Sequence, residues 1–160
     1  MQYEKTGQLT IRPICAVFVD EVEKSGRQNP YCEVLIGNSR LITGIASNQP
    51  ADPAWVDRID YQLTGEESLE LFAYDSDFRT KGDYNGNCRI QLANVFTQRN
   101  LIEFYDIFRD GNRTGRVKVA FNFVPDRTPD INPNFQTSSV IQGGLIYSQV
   151  AGVFNTTNTI

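Results

Sequence analysis

The side chains that most often carry out chemistry in proteins are sparse and unpaired in this sequence. There is no histidine, and the three cysteines, Cys15, Cys32 and Cys88, are widely spaced without a C-x-x-C pair. The lack of histidine excludes Ser-His and Cys-His nucleophilic mechanisms as well as His-ligated metal centres. The cysteine spacing does not fit a zinc site. Catalysis by carboxylates or by a lysine is compatible with the sequence, but no motif indicates it. We therefore predict that the chain is not an enzyme.

The cysteines and the N-terminus indicate a compartment. Each cysteine lies in a strand-like context, where a free thiol behaves as a small hydrophobe. We therefore expect three reduced, buried cysteines in a reducing compartment. Residues 1–5 carry charge and no apolar stretch follows them, so a secretory signal is not expected. The longest apolar run, residues 14–19, has the length of a strand rather than of a membrane span. These features predict a cytoplasmic or cytoskeletal protein that is neither secreted nor transmembrane.

The charge of the chain argues against one class of partner. The formal net charge is −4, which disfavours nucleic acid, or an anionic membrane, held by bulk electrostatics. We predict no nucleic-acid partner.

Alternation of apolar and polar residues dominates the first 125 positions and predicts about eight short strands. Pro13 forces a bulge or an edge position in the first of them, and Cys32, Val34 and Ile36 share the inward face of the second. A short helix is allowed at residues 93–98. The predicted strands cover residues 9–19, 31–36, 40–46, 56–63, 68–74, 87–92, 101–108 and 116–124. Short strands at regular spacing predict an all-β fold, an eight-stranded antiparallel β-sandwich.

The C-terminal part differs in composition. Residues 131–160 contain no Asp, Glu, Lys or Arg, yet carry large apolar side chains that include Phe135, Tyr147 and Phe154. Disordered tails are usually charged and poor in such residues. We predict a sandwich domain at residues 1–126 and an extended tail at residues 127–160. The tail packs either on its own domain or on a protein partner, and apolar patches favour the partner.

Five motifs follow one another over residues 7–125. The last of them, in the closing strand, reads Gly115-Arg-Val-Lys-Val-Ala-Phe121. The earlier motifs are Gly7-x-Leu9-x-Ile11-x-Pro13-x-x-Ala16-x-x-Val19, Asn29-Pro30-Tyr31-Cys32-Glu33-Val34, Asp52-Pro53-Ala54-Trp55, and Asp75-Ser76-Asp77 followed by Asp83 and Gly86. In this order the five motifs resemble those of the C2 domain family.

The resemblance implies a calcium cup at one end of a C2-type sandwich, which binds acidic phospholipid when it is filled. Asp75, Asp77 and Asp83 keep the family's identity and spacing in the third loop. The first loop departs from the pattern, because Asn29 stands for one aspartate and Glu23 for the other. Calcium affinity depends on the charge and rigidity of its oxygen ligands, so we expect at most a weak calcium site. A merely solvated acidic loop is the alternative.

The same resemblance predicts weak lipid binding. Many C2 domains carry a lysine-rich strand that binds anionic lipid headgroups. In this sequence the corresponding stretch is residues 38–47, and Arg40 is its only cation. Phe78, Arg79 and Lys81 at the third-loop tip are able to enter a membrane, or they form an ordinary loop tip.

Two functions follow from these features. The first is a structural or scaffolding C2 protein, docked through its tail and a sandwich face into a larger intracellular assembly. A cytoskeletal or ciliary microtubule assembly is one such setting. The alternative is a calcium-dependent phospholipid-binding module.

Overall fold

The computed structural model describes residues 3–19, 29–46, 53–76, 83–127, 141–142 and 145–146. The side chains at positions 83, 141, 142, 145 and 146 are not described. The main sheet contains β1 (Thr6–Phe18), β2 (Pro30–Ile36), β3 (Ser39–Ile42), β4 (Ile59–Thr64), β5 (Ser68–Asp75), β6 (Asp83–Gln91), β7 (Asn100–Arg109) and β8 (Asn112–Pro125), with helix α1 (Ala93–Gln98) between β6 and β7.

The eight strands form two four-stranded halves. The strand order is β3-β2-β5-β6-β7-β8-β1-β4, and each neighbouring pair is antiparallel. The two halves meet between β6 and β7, which share one register pair, Asn87 opposite Phe108. The predicted antiparallel eight-stranded sandwich is confirmed, and so is the helix at residues 93–98.

The core lies between the inner faces of the two halves. Cys32, Val34 and Ile36 are at most 1% exposed, as the alternation of β2 predicts. The opposite half contributes, among others, Leu9, Ile11, Val117, Val119, Phe121 and Phe123, all of them buried. Burial of each such side chain stabilises the fold by about 1.5–3 kcal/mol, so this alternation is the main determinant of which sheet face points inward.

The bulge predicted at Pro13 is present. The register between β1 and β8 shifts between Pro13 and Cys15, and the pairing of β1 with β4 ends at Ile11. Pro13 has no N–H to donate to a ladder, so it is accommodated where β1 has already left its β4 neighbour.

Several sequence predictions were wrong in detail. The sixth and eighth strands each begin four residues earlier than predicted, at Asp83 and Asn112. The third strand ends at Ile42 rather than at residue 46, because Thr43 N–H bonds the Cys32 carbonyl and Thr43 Oγ1 accepts the Cys32 N–H, both at 2.9 Å. The fourth strand begins at Ile59 rather than at residue 56, because its pairing with β1 starts at Ile59 opposite Ile11 and Pro13, further along β1, has no N–H for the ladder. All three cysteines are free, but only Cys32 is buried.

Cys15 and Cys88 are only half-buried. Cys15 comes directly after the β1 bulge. Cys88 lies next to the junction pair of Asn87 with Phe108, where the two halves share little pairing. The prediction of three fully buried thiols is therefore wrong for these two.

Residue contacts divide the chain into two units, Met1–Thr128 and Pro129–Ile160. In the second unit, β9 (Ile141–Gln142) and β10 (Leu145–Ile146) pair antiparallel. The domain boundary between residues 126 and 127 stays a prediction. Within the described ranges, no helix has the length and apolar character needed to cross a bilayer.

Candidate functional site

The antiparallel order brings four connections to one end of the sandwich, which we call the loop end. β1, β3 and β5 run toward this end, while β2, β4 and β6 start from it. The turn at residues 110–111 between β7 and β8 lies there too. The first and third loops of the predicted calcium cup therefore both open at the loop end.

The backbone brings three of the predicted calcium ligands together at this end. The Asn29 N–H donates to Asp75 Oδ1 at 2.5 Å, and the Ser76 N–H donates to the Asn29 carbonyl at 2.9 Å. Asp75 and Asp83 are opposite each other in the register of β5 and β6. The end of the first loop is thus fastened to the start of the third loop.

The donor set is only partly visible. Glu23 and Asp77 lie outside the described residues, and the side chain of Asp83 is not described. Among the residues that are described, no group of three or more Asp, Glu or Cys side chains is placed to hold a metal ion. Asn29 offers a neutral oxygen where a carboxylate would bind Ca²⁺ more strongly. Because Glu23, Asp77 and the Asp83 side chain are not described, the weak calcium site stays a prediction.

Trp55 supports the loop end from inside. Its indole Nε1–H donates to the Pro30 carbonyl at 3.1 Å, and the same carbonyl accepts the Ala46 N–H at 2.9 Å. The Trp55 side chain is 6% exposed. Since Pro30 follows Asn29 directly, Trp55 positions the residue that enters the candidate site. The family resemblance singled out Trp55, but not this role.

A row of aromatic side chains covers the outer surface of β2, β5 and β6. Tyr31 stacks on Tyr74 with ring centroids 5.4 Å apart and planes 19° apart, and Phe72 stacks on Tyr74 at 6.2 Å. Tyr84 lies 5.8 Å from Tyr74. We call these four residues the aromatic face. All four are half-buried, and desolvation raises the pKa of Tyr74 and Tyr84.

Sequence reasoning missed the aromatic face. The signal was the alternation of Phe72 and Tyr74 along β5, on the side opposite to the buried Leu71 and Ala73.

Arg40, the predicted headgroup-binding cation, is engaged with a carboxylate. Its guanidinium donates to Glu33 Oε2 at 2.6 Å, and this hydrogen bond raises the pKa of Arg40. The Glu33 residue is only 2% exposed. Arg40 therefore neutralises a buried acid rather than presenting an isolated positive charge.

The remaining predicted site residues are outside the described part of the chain. They are Phe78, Arg79 and Lys81 for lipid, and Phe135, Tyr147 and Phe154 for a protein partner.

Similarity to known proteins identifies the family. A sequence model described as "C2 domain" matches residues 7–107, which is more than half of the chain. The chain belongs to the C2 domain family. C2 domains generally act as binding modules without catalytic activity of their own. No curated protein matches this sequence.

Solved structures show the same fold. A C2 domain-containing protein from a putative elicitor-responsive gene is similar, with a TM-score of 0.68 and 20% identity over 81% of this chain and 97% of that chain. A C2 domain of plant Extended Synaptotagmin 1 has a TM-score of 0.66 and 12% identity, covering 79% of this chain and all of that one. The calcium-bound pair of C2 domains of Extended-Synaptotagmin 2 gives a TM-score of 0.61 and 22% identity, covering 78% of this chain and 48% of that chain.

Proposed function

We propose that this C2 domain is a non-catalytic docking module, a structural or scaffolding component that joins a larger assembly through protein contacts. The observation that carries the proposal is the aromatic face of Tyr31, Phe72, Tyr74 and Tyr84. A cytoskeletal or ciliary assembly is a setting that stays part of the proposal.

The aromatic face has the properties of a protein-binding surface. Aromatic side chains bring large contact area with few rotatable bonds, and Tyr is enriched among the residues that dominate interface energies. The stacking of Tyr31 on Tyr74 holds both rings in place before binding, which lowers the entropy lost on association. The nearby Arg40 is paired with Glu33, so the surface offers an anionic headgroup little net attraction.

The composition of residues 131–160 supports a second contact. They are uncharged and include Phe135, Tyr147 and Phe154, and an extended apolar segment is able to follow a groove or pair with an exposed strand of a partner. Deletion of residues 131–160 should leave a folded sandwich that no longer joins its assembly. Loss of thermal stability with retained binding would instead mean that the tail covers its own domain.

The test of the aromatic face is a substitution that removes its central ring. Tyr74→Ala should weaken partner capture by about 30-fold or more, which corresponds to a loss of ~2 kcal/mol at an interface anchor. Tyr3→Ala is the matched control, because Tyr3 is 39% exposed and lies outside the aromatic face. Both variants are compared with the wild type by melting temperature and by co-purification from the native source. Equal capture by Tyr74→Ala and the wild type, with both folded, would refute this use of the aromatic face.

A calcium-dependent phospholipid-binding module is the second candidate. Its support is the convergence of Asn29 and Asp75 at the loop end and the similarity to a chain solved with calcium bound. If calcium binds, calorimetry should give a Kd of about 10⁻⁴ M or weaker, and Asp77→Asn should abolish the signal.

Vesicle binding separates the two candidates. Co-sedimentation with phosphatidylserine vesicles should be slight with calcium and with chelator alike. Micromolar binding of more than one ion, together with strong calcium-dependent co-sedimentation, would favour the second candidate over the first.

A further inference from the structure

Strands β7, β8 and β1 carry a basic surface on their outer side. Val117 and Val119 point into the core and are fully buried, so the alternating Arg116 and Lys118 point outward. Arg12, on the neighbouring β1, lies opposite Ala120 and is exposed. Together with Phe104 on β7, which is 46% exposed, Arg12, Arg116 and Lys118 form what we call the basic face.

The ring of Phe104 orders two of these cations. The Arg116 guanidinium carbon lies 4.5 Å from the ring centroid, and Lys118 Nζ lies 5.5 Å from it. Both distances fall within the range of a cation–π interaction. Lys118 and Phe104 are also register partners across β7 and β8. The two charges are therefore held close together on a strand surface that does not have to rearrange to bind a ligand.

No described residue forms an ion pair with Arg12, Arg116 or Lys118. The nearest carboxylates have other cations. Asp106 lies opposite Arg116 in the register of β7 and β8 but pairs with Arg113 at 2.8 Å, and Asp60 pairs with Arg58 at 2.9 Å. In a chain of net charge −4, the basic face is thus a local excess of positive charge, because its neighbouring carboxylates are already paired with Arg113 and Arg58.

We propose that the basic face binds an acidic peptide segment of a protein partner, with its carboxylates on the three cations and an apolar side chain against Phe104 and the exposed Ile102. Neighbouring strands are ~4.8 Å apart, so the face from β7 to β1 is about as wide as one extended chain with its side chains. This proposal does not depend on the aromatic face, which lies on the other half of the sandwich.

The same observations argue against a lipid surface. A bilayer is broad, so it would also meet the Asp60 and Asp106 carboxylates and the negative charge of the whole chain. The cations lie over the Phe104 ring, so inserting that ring into a bilayer would desolvate charge. A narrow acidic segment leaves the Phe104 ring and its cations in water and meets less of this negative charge.

The experiment measures fluorescence anisotropy of a labelled poly-glutamate peptide with one central phenylalanine, titrated with the full chain. A poly-glutamine peptide with the same phenylalanine is the control ligand and should not bind. Loss of one surface cation should weaken binding about two- to five-fold, so Arg116→Gln with Lys118→Gln should weaken it about five-fold or more. Arg89→Gln is the matched control for Arg116→Gln alone, since each removes one exposed positive charge and Arg89 lies on β6 in the other half.

Three outcomes would overturn the proposal. The first is equal binding of the two peptides. The second is an equal loss of binding with Arg89→Gln, which would mean that bulk charge is responsible. The third is calcium-independent binding of phosphatidylserine vesicles that Arg116→Gln with Lys118→Gln removes, with no peptide binding, which would assign the basic face to lipid. All substituted side chains are at least partly exposed, so an unchanged melting temperature checks that the variants are folded.

Discussion

Replacement of Gly86 by alanine tests how the two halves of the sandwich are joined. Gly86 has φ +154° and is buried beside the pair that connects β6 to β7. A Cβ at this position would lie 2.5 Å from Thr114 Oγ1 and 3.2 Å from the Phe108 carbonyl oxygen. The substitution therefore imposes both backbone strain and overpacking.

The two costs have separate magnitudes. A backbone conformation that only glycine adopts readily costs an L-residue about 1–3 kcal/mol, and overpacking in a dense interior costs about 1–3 kcal/mol more. We expect Gly86→Ala to lower the free energy of unfolding by roughly 2–6 kcal/mol in urea titrations.

Two further variants separate strain from clash. Gly65→Ala isolates the strain, because Gly65 has φ +129° and nothing lies within 4 Å of its added Cβ. It should cost about 1–2 kcal/mol. Thr114→Ala removes the nearest clashing oxygen, so combining it with Gly86→Ala should recover ~1–2 kcal/mol relative to the sum of the single changes.

If Gly86→Ala costs no more than Gly65→Ala, the added Cβ meets no clash and the predicted overpacking is wrong. A double variant without coupling would contradict it equally, because the contact with Thr114 would then play no part.

Three more predictions concern the interior. The free energy of unfolding, measured by urea titration, should fall as the pH rises from 9 to 11. Burial raises the pKa of Cys88 from 9.0 to about 11 and also raises the pKa of Tyr105, so in this range the unfolded chain loses protons that the folded chain keeps. An unfolding free energy that does not change with pH would contradict this. Iodoacetamide should label Cys88 slowly at pH 8, where about one thousandth of the Cys88 side chains are in the thiolate form. The labelling rate should rise roughly tenfold per pH unit until about pH 11. Mass spectrometry identifies the labelled sites, and a rate equal to that of the urea-unfolded chain would contradict the prediction. Trp55→Phe should cost about 2 kcal/mol of unfolding free energy, from one buried hydrogen bond and a small cavity, and an unchanged urea midpoint would count against it.

The face of each strand was predictable from the sequence, but several strand ends were not. Period-two alternation decides which residues enter the core, and Cys32, Val34 and Ile36 are buried as predicted. Strand ends depend on individual hydrogen bonds, such as those of Thr43 to Cys32. The strand propensities of residues 43–46 do not predict these hydrogen bonds.

The sequence did not predict which side chains become neighbours on the two outer faces, for a related reason. Tyr31 stacks on Tyr74 because β2 pairs with β5 in that register, and Phe104 meets Lys118 because β7 pairs with β8. In the sequence alone, none of these four residues differs from an ordinary strand residue. Register between strands depends on the packing of the whole core, so a local pattern does not specify which side chains become neighbours.

The candidate site was predictable to the extent that a motif carried it. The resemblance indicated that Asn29 and Asp75 belong to one end of the sandwich, and the structure brings them within hydrogen-bond distance. The sequence did not predict that Trp55 holds Pro30 through a hydrogen bond, because that contact depends on the path of the loop that contains Trp55.

The pairing of β1 with β8 sets the order in which the chain is able to fold. Gly7 lies opposite Pro125 and Phe18 opposite Gly115, so β1, which precedes the other strands of the sandwich in the chain, acquires this neighbour only after β8 has been synthesised. Until then β1 exposes Leu9 and Ile11 and an unpaired edge, a state prone to wrong association. Such long-range pairing makes folding slow compared with a helical domain of similar size. A nascent or shortened chain that stops before Gly115 lacks every β8 partner of β1 and should therefore fail to fold, however complete its other strands are.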